Sequence, residues 1–382
     1  MNRILIENVR FAYPVAGKNT GCIGIDTDHI VLVGDVPPHP ETWQRVDAHQ
    51  AYALPAFVDL HIHGMGGFGP EQANANALLQ LSNTLARQGV QAFCPTLYCA
   101  RPDVMVSLLE KLTPALGNET GAHMVGFHLE GPFISPEKPG VMKPQDIAPA
   151  NLADFEKIYQ AAQGRISIVT LAPEVPGIDP IIDFCHKHHI LVQAGHTNAT
   201  YEQMQTAFKK GVQRVTHLAN AMSGLHHRAP GVLGAVLANP EISCEVIADG
   251  HHIHPALLTL LLHAKPISQI TAVTDALLPT HQPTGPFYAN GEEVLLQQGV
   301  WKRKADGVTA GSALTMLEAF KQLIQAGYSL AQASACTSTN AAHFAGFSAV
   351  LQPNSPANFV LLSSQFTLQS IYLRGKNLHT HI

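Results

Sequence analysis

The chain has 382 residues, 46% hydrophobic and 13% charged, enough to bury a sizeable core in one large domain or in a large domain plus a small one. Its formal net charge of -5 comes without basic runs, which excludes the electrostatic footprint of a nucleic-acid binder. No stretch approaches the roughly 20 apolar residues of a membrane span, and the opening MNRILIENVRF alternates like a strand instead of placing charge before an apolar segment, so a soluble cytoplasmic protein is expected.

Residues 1 to about 52 read as short alternating strands broken by Gly, Pro and Asp turns, with no helical period. A strand-then-helix rhythm follows. Eight apolar, β-branched runs are candidate strands, at 54–63, 89–97, 124–131, 165–173, 189–196, 212–219, 243–250 and 269–276. Amphipathic stretches between them, at 76–89, 151–164, 178–189, 200–211 and 254–265, mostly close on Gly or basic residues as helices do. Eight such units predict a closed (β/α)8 TIM barrel over 53–346, because the rival open sheet would need a nucleotide-type Gly turn that GMGGFG at 64–69 does not supply. The tail from about 347 returns to short strands, so residues 1–52 and 347–382 together predict a small β-sandwich domain. Six cysteines are scattered without a C-x-x-C pair and are expected to be buried and reduced.

In a barrel of this kind chemistry sits at the C-terminal ends of the strands. Those positions hold His61 and His63 on strand one, Glu130 on strand three, His196 on strand five, His217 on strand six, Asp249 with His252 just beyond on strand seven, and Asp275 on strand eight. His61 and His63 share one face of a strand, His196 and His217 come from neighbouring strands, and Glu130 can complete a nitrogen and oxygen set for Zn²⁺ or Fe²⁺. One lone histidine beside apolar residues is more often a satisfied core group, but so many ligand-type residues at strand ends reverse that expectation. Asp275 is then placed as general base and general acid, in preference to a helix cap. No lysine ends strand four, so Glu130 is the acidic group placed to bridge two ions, and one or two ions per subunit both remain open. His186, His188, His189, His379 and His381 read as bystanders, near a helix end or in the tail.

The motifs D-L-H-I-H-G, H-L-E-G-P-F, L-A-P-E, G-H-T-N-A, T-H-L-A-N-A-M, H-H-R-A-P-G, A-D-G-H-H, V-T-D-A and A-G-S-A-L-T-M occur in that order along almost the whole chain. In this series the sequence resembles the N-acetylglucosamine-6-phosphate deacetylases of the amidohydrolase superfamily. The resemblance implies a homodimer that hydrolyses the N-acetyl amide of an amino-sugar phosphate. It implies Glu130, His196 and His217 as the principal metal ligands, His61 and His63 as holders of a second ion, and Asp275 as the catalytic acid/base. Substrate phosphate would meet Arg228 and His252, with His252 reaching into the neighbouring subunit's site, while backbone groups around Asn220 and Ala221 hold the sugar. Arg suits that task because its planar fork grips phosphate in a bidentate way.

One departure falls at the site. Where the family carries a Lys-Gly-Ala-His tract, this chain reads Lys138, Pro139, Gly140, Val141, Met142, and Met142 cannot donate a hydrogen bond as a histidine would. Two alternatives stand beside this reading: a superfamily member acting on a different N-acyl or amine substrate, and a catalytically silent binding protein on the same barrel.

Overall fold

The computed structural model describes residues 3–15 and 17–378. Eight parallel strands form a nearly closed barrel: β1 (Phe57–Ile62), β2 (Val90–Leu97), β3 (Phe127–Glu130), β4 (Ile166–Leu171), β5 (Leu191–Ala194), β6 (Arg214–Val215), β7 (Ser243–Val246) and β8 (Ile270–Ala272). Each pairs with the next in chain order. Each is followed by a helix: α1 (Ala75–Ala86), α2 (Pro102–Leu112), α3 (Leu152–Ala161), α4 (Asp179–Lys187), α5 (Tyr201–Lys209), α6 (Gly231–Ala238), α7 (Pro255–Ala264) and α8 (Met316–Gln325).

Local chemistry explains the helices. In α8 the buried residues Met316, Ala319, Phe320 and Leu323 recur at helical spacing and face the barrel, and Thr315 with Glu318 forms a capping box at its start. Thr200 and Gln203 cap α5 in the same way. The seam between β1 and β8 is closed by side chain as well as backbone. Asp59 Oδ2 accepts from the Thr274 hydroxyl at 2.6 Å, Asp59 Oδ1 accepts from the Thr274 N–H at 3.2 Å, and the Asp275 N–H donates to His61 C=O at 2.9 Å. This seam fixes the end of β8 beside the end of β1.

A second, eight-stranded sheet joins both ends of the chain, with strands from Arg3–Val15 to Tyr52–Pro55 and from Phe359–Leu362 to Lys376–Asn377. It corrects one expected element. The run at 54–63 is two strands: Tyr52–Pro55 pairs with Phe359–Leu362 in the terminal sheet, and only Phe57–Ile62 enters the barrel. The chain changes partner after Ala56, whose N–H still donates to the Asn358 carbonyl of the terminal sheet at 3.1 Å, while the Phe57 N–H donates to the Gly89 carbonyl just before β2 at 2.9 Å. His379 and His381 lie outside the described residues.

One region escaped the sequence reading altogether. Between β8 and α8 the chain forms a four-stranded antiparallel sheet from Phe287–Ala289, Glu292–Gln297, Val300–Arg303 and Thr309–Ser312. Its turns carry a readable signal. Asn290-Gly291 and Gln298-Gly299 are two-residue loops in which both residues have positive φ, the conformation that selects Asn-Gly and Gly-containing pairs in hairpins. All six cysteines are buried and unpaired, and no helix among the described residues is long and apolar enough to cross a membrane.

Candidate active site

The strand ends converge on a cavity of about 220 Å³. Its walls include His63, Glu130, His196, His217, Asp275, Asn220, Ala221 and His252, with Tyr98 and Met142 on one side and Val308 to Gly311 of the four-stranded sheet on another. Two groups of ligand-type side chains meet at it, His63 and Asp275 with His61 buried behind them, and Glu130 with His196 and His217. Within each group the ligand atoms lie within 4.8 Å of one another, and all six residues are buried.

Glu130 joins the two. Its Oε1 is 3.0 Å from His196 Nε2 and 2.9 Å from His217 Nε2, while its Oε2 is 3.3 Å from His63 Nε2. On the other side of the cluster, Asp275 Oδ1 lies 3.2 Å from His63 Nε2 and 3.5 Å from His61 Nε2. Three of the side chains sit on unusual backbone: His196, His217 and Asp275 have φ of 48°, 28° and 50°. Left-handed backbone at non-glycine residues costs on the order of 1–3 kcal/mol each and concentrates at functional sites. Here it turns each side chain into the cavity as its strand ends.

The tract behind Glu130 holds His196 in place. His196 Nδ1 donates to the Lys138 carbonyl at 3.0 Å, and the Ser135 N–H donates to the His196 carbonyl at 2.8 Å. Gly140 has φ of 57°, and a Cβ there would come 3.1 Å from His196 Cε1, so the tract's glycine permits this close approach. Met142 is buried beside Tyr98, Leu277 and Trp301 and contributes an apolar wall.

These contacts test whether a cation fits. His63 Nδ1 donates to the Thr96 carbonyl at 3.1 Å, as His196 Nδ1 does to Lys138, so each ring carries its proton on Nδ1 and turns the Nε2 lone pair inward. Those lone pairs face carboxylate oxygens, an arrangement that needs positive charge between them. Two ligands about 2.0–2.1 Å from one tetrahedral ion lie roughly 3.3 Å apart, and His196 Nε2 and His217 Nε2 are 3.3 Å apart. The donor set fits a divalent cation.

The electrostatics agree. Burial would raise the Glu130 carboxyl, but His196 and His61 more than reverse this and hold it well below the usual range. Asp275 is lowered against its burial by His61 and His63. Burial would lower His61, yet Glu130, Asp275 and Glu245 push it up to about 10. The two acids stay ionised because protonated histidines face them, and a bound cation would take the place of the inward proton on His61 Nε2 while the proton on Nδ1 stays with Glu245.

The remaining sequence-derived residues fall in different places. Asn220 and Ala221 line the cavity, with Asn220 Nδ2 donating to the His217 carbonyl at 3.2 Å. The resemblance sends His252 into a neighbouring subunit's site; here it lines this chain's own cavity, its ring tied to Asp249 by a 2.6 Å contact from Nδ1 to Oδ2. Arg228 is exposed in the turn between His226 and Ala229 and lies outside the cavity lining. Sequence reading also passed over Glu245, Arg214 and His128, all fully buried beneath the cluster. Their signal was present: each is a polar residue in the middle of a strand run, where an apolar side chain is the norm.

A family model described as the amidohydrolase family matches residues 52–378, and the chain belongs to that family. More particularly, it is 31% identical to an N-acetylgalactosamine-6-phosphate deacetylase of Escherichia coli O157:H7, over 91% of this chain and 94% of the relative. It is 32% identical to an N-acetylglucosamine-6-phosphate deacetylase of Bacillus subtilis (strain 168), over 84% of this chain and 82% of the relative. The crystal structure of N-acetylglucosamine-6-phosphate deacetylase from Thermotoga maritima superposes with a TM-score of 0.87 at 27% identity, covering 98% of this chain and 99% of that one. Within the amidohydrolases, the chain therefore belongs with the N-acetylated amino-sugar phosphate deacetylases.

Proposed function

We propose that this protein hydrolyses the N-acetyl amide of an amino-sugar 6-phosphate, taking N-acetylglucosamine-6-phosphate to glucosamine-6-phosphate and acetate. The observation that carries the reading is the convergence of Glu130, His196, His217, His63 and Asp275 on one cavity, with His61 buried directly against Glu130 and Asp275. These residues would hold Zn²⁺, with Fe²⁺ as the alternative, and the shared position of Glu130 between the two groups favours room for two ions. A divalent ion bound there supplies Lewis acidity to the amide carbonyl and makes water a better nucleophile near neutral pH.

The side chains account for the proton. Water adds to the acetyl carbon, and Asp275, held ionised at the cavity wall, takes the proton released from it. As the C–N bond breaks, Asp275 returns that proton to the nitrogen, which leaves as the amine. Asn220 and the backbone at Ala221 would hold the sugar, and His252 would face its phosphate. Arg228 lies outside the lining of its own cavity; in the homodimer that the family resemblance implies, it would meet the phosphate held by a second subunit. The chain would then comprise a small β-sandwich domain from 1–52 and 347–382 and a TIM barrel over 53–346, in the cytoplasm.

Steady-state kinetics on metal-reconstituted protein test the reading. The panel should include N-acetylglucosamine-6-phosphate, its galacto epimer, both unphosphorylated sugars and an N-acyl amino acid. Turnover confined to the phosphorylated sugars supports it. Preference for another N-acyl substrate overturns the substrate, and metal binding without any turnover would favour a silent binding protein.

A further inference from the structure

We propose that Glu245 and Arg214 form a buried brace that positions His61 for the ion its side of the centre would hold. The inference rests on the metal centre proposed above and adds two residues to it.

The geometry is unusual for a core. Glu245 on β7 and Arg214 on β6 are both fully buried, with Arg214 Nη2 3.7 Å from Glu245 Oε1. The guanidinium lies over the Phe344 ring at 4.2 Å, and Arg214 Nε, Nη1 and Nη2 have no hydrogen-bond partner. A buried ion pair with imperfect hydrogen bonding is a poor source of stability, and apolar residues of similar volume often serve a core as well or better. Stability is therefore a weak reason for the charges.

Glu245 Oε2 supplies a better one. It lies 3.3 Å from His61 Nδ1 and accepts from the His217 N–H at 3.4 Å, so one carboxylate touches a residue of each ligand group. His63 and His196 orient themselves on neutral backbone carbonyls, whereas His61 is oriented by a charged group. With its proton held on Nδ1 by Glu245, His61 directs the Nε2 lone pair into the cluster, 3.5 Å from Asp275 Oδ1 and 3.7 Å from Glu130 Oε1. That Nε2 is buried without a hydrogen-bond partner. A carboxylate behind a ligating histidine fixes its tautomer and strengthens it as a donor. Arg214 offsets the charge that Glu245 brings into the barrel.

The test is zinc binding measured by competition with a chromophoric chelator, on wild type, Glu245→Gln and the double variant Arg214→Met/Glu245→Leu. His61→Asn identifies the ion that depends on His61. The double variant removes both charges together, so it keeps the barrel filled without leaving one charge unpaired. In both variants the His61-dependent ion should bind about 10- to 100-fold more weakly, while the thermal midpoint of the metal-free double variant stays near wild type. Wild-type affinity for that ion in either folded variant overturns the brace. A wild-type protein that binds no zinc overturns the metal centre itself, a separate and distinguishable result.

Discussion

The two ligand groups use the same kinds of side chain on different kinds of backbone. His61 and His63 stand two apart at the end of a regular strand, and their geometry follows from the strand's own alternation. His196 and His217 sit just past their strands in the left-handed region, and His196 also depends on a carbonyl from the Lys138 tract. The histidines of the first group are set by periodicity and a buried carboxylate, although their partner Asp275 shares the left-handed backbone of the others. The histidines of the second are set by strained turns that surrounding hydrogen bonds must hold. Glu130 is the point where the two meet, and Asp275 belongs to the first group while facing the substrate cavity.

Removing the shared residue should have the largest effect. Glu130→Gln removes the charge that both groups face, so kcat/KM should fall by about a thousandfold or more, with loss of both ions in a metal assay. Retention of either ion at wild-type affinity would show that the groups are independent. Asp275→Asn separates chemistry from binding. It should lower kcat by about 10²- to 10⁴-fold while KM stays within a few-fold. Full activity in this variant would sink the assigned proton path.

The same contrast explains what could be read from the sequence. H-x-H on a strand is legible because its period of two fixes a common face, and the barrel's strand and helix alternation located most of the strand ends. The four-stranded sheet was less visible because 280–312 breaks the β/α rhythm, although Asn290-Gly291 and Gln298-Gly299 marked its turns. The resemblance sent His252 into the neighbouring subunit's site and left Arg228 unassigned, whereas His252 lines this chain's own cavity and Arg228 does not, since spacing along the chain does not say where a loop points. Arg214 and Glu245 were hidden for a different reason: they lie a layer below the strand ends, where attention to the rim does not reach.

Arg228 offers a smaller, sharper test. Arg228→Ala should raise KM for the phosphorylated sugar about 10- to 100-fold, the worth of a charge-assisted bond of about 1.5–3 kcal/mol, and leave the unphosphorylated sugar unchanged. Mixing this variant with Asp275→Asn should restore part of the activity if Arg228 serves the partner's cavity. A hybrid no better than its parents would return Arg228 to its own subunit.

The smallest expected effect concerns pH. Burial would lower the His252 ring, but the Asp249 carboxylate, with a further contribution from Asp275, raises it above its ordinary value. Asp249 is in turn lowered against its burial by the bond from His252. A raised histidine keeps its proton to higher pH, so its contact with phosphate is complete below about 6.5 and is lost as pH rises through the raised value. KM for the phosphorylated sugar should therefore climb about fivefold on the alkaline side, on the order of 1 kcal/mol, because neutral His252 can still donate one hydrogen bond. In Asp249→Asn burial acts without its main opponent, and the climb should begin at lower pH. The unphosphorylated sugar should show no such climb. If the two proteins share one profile, Asp249 does not tune His252, and the phosphate contact must be sought among the other groups at the cavity rim.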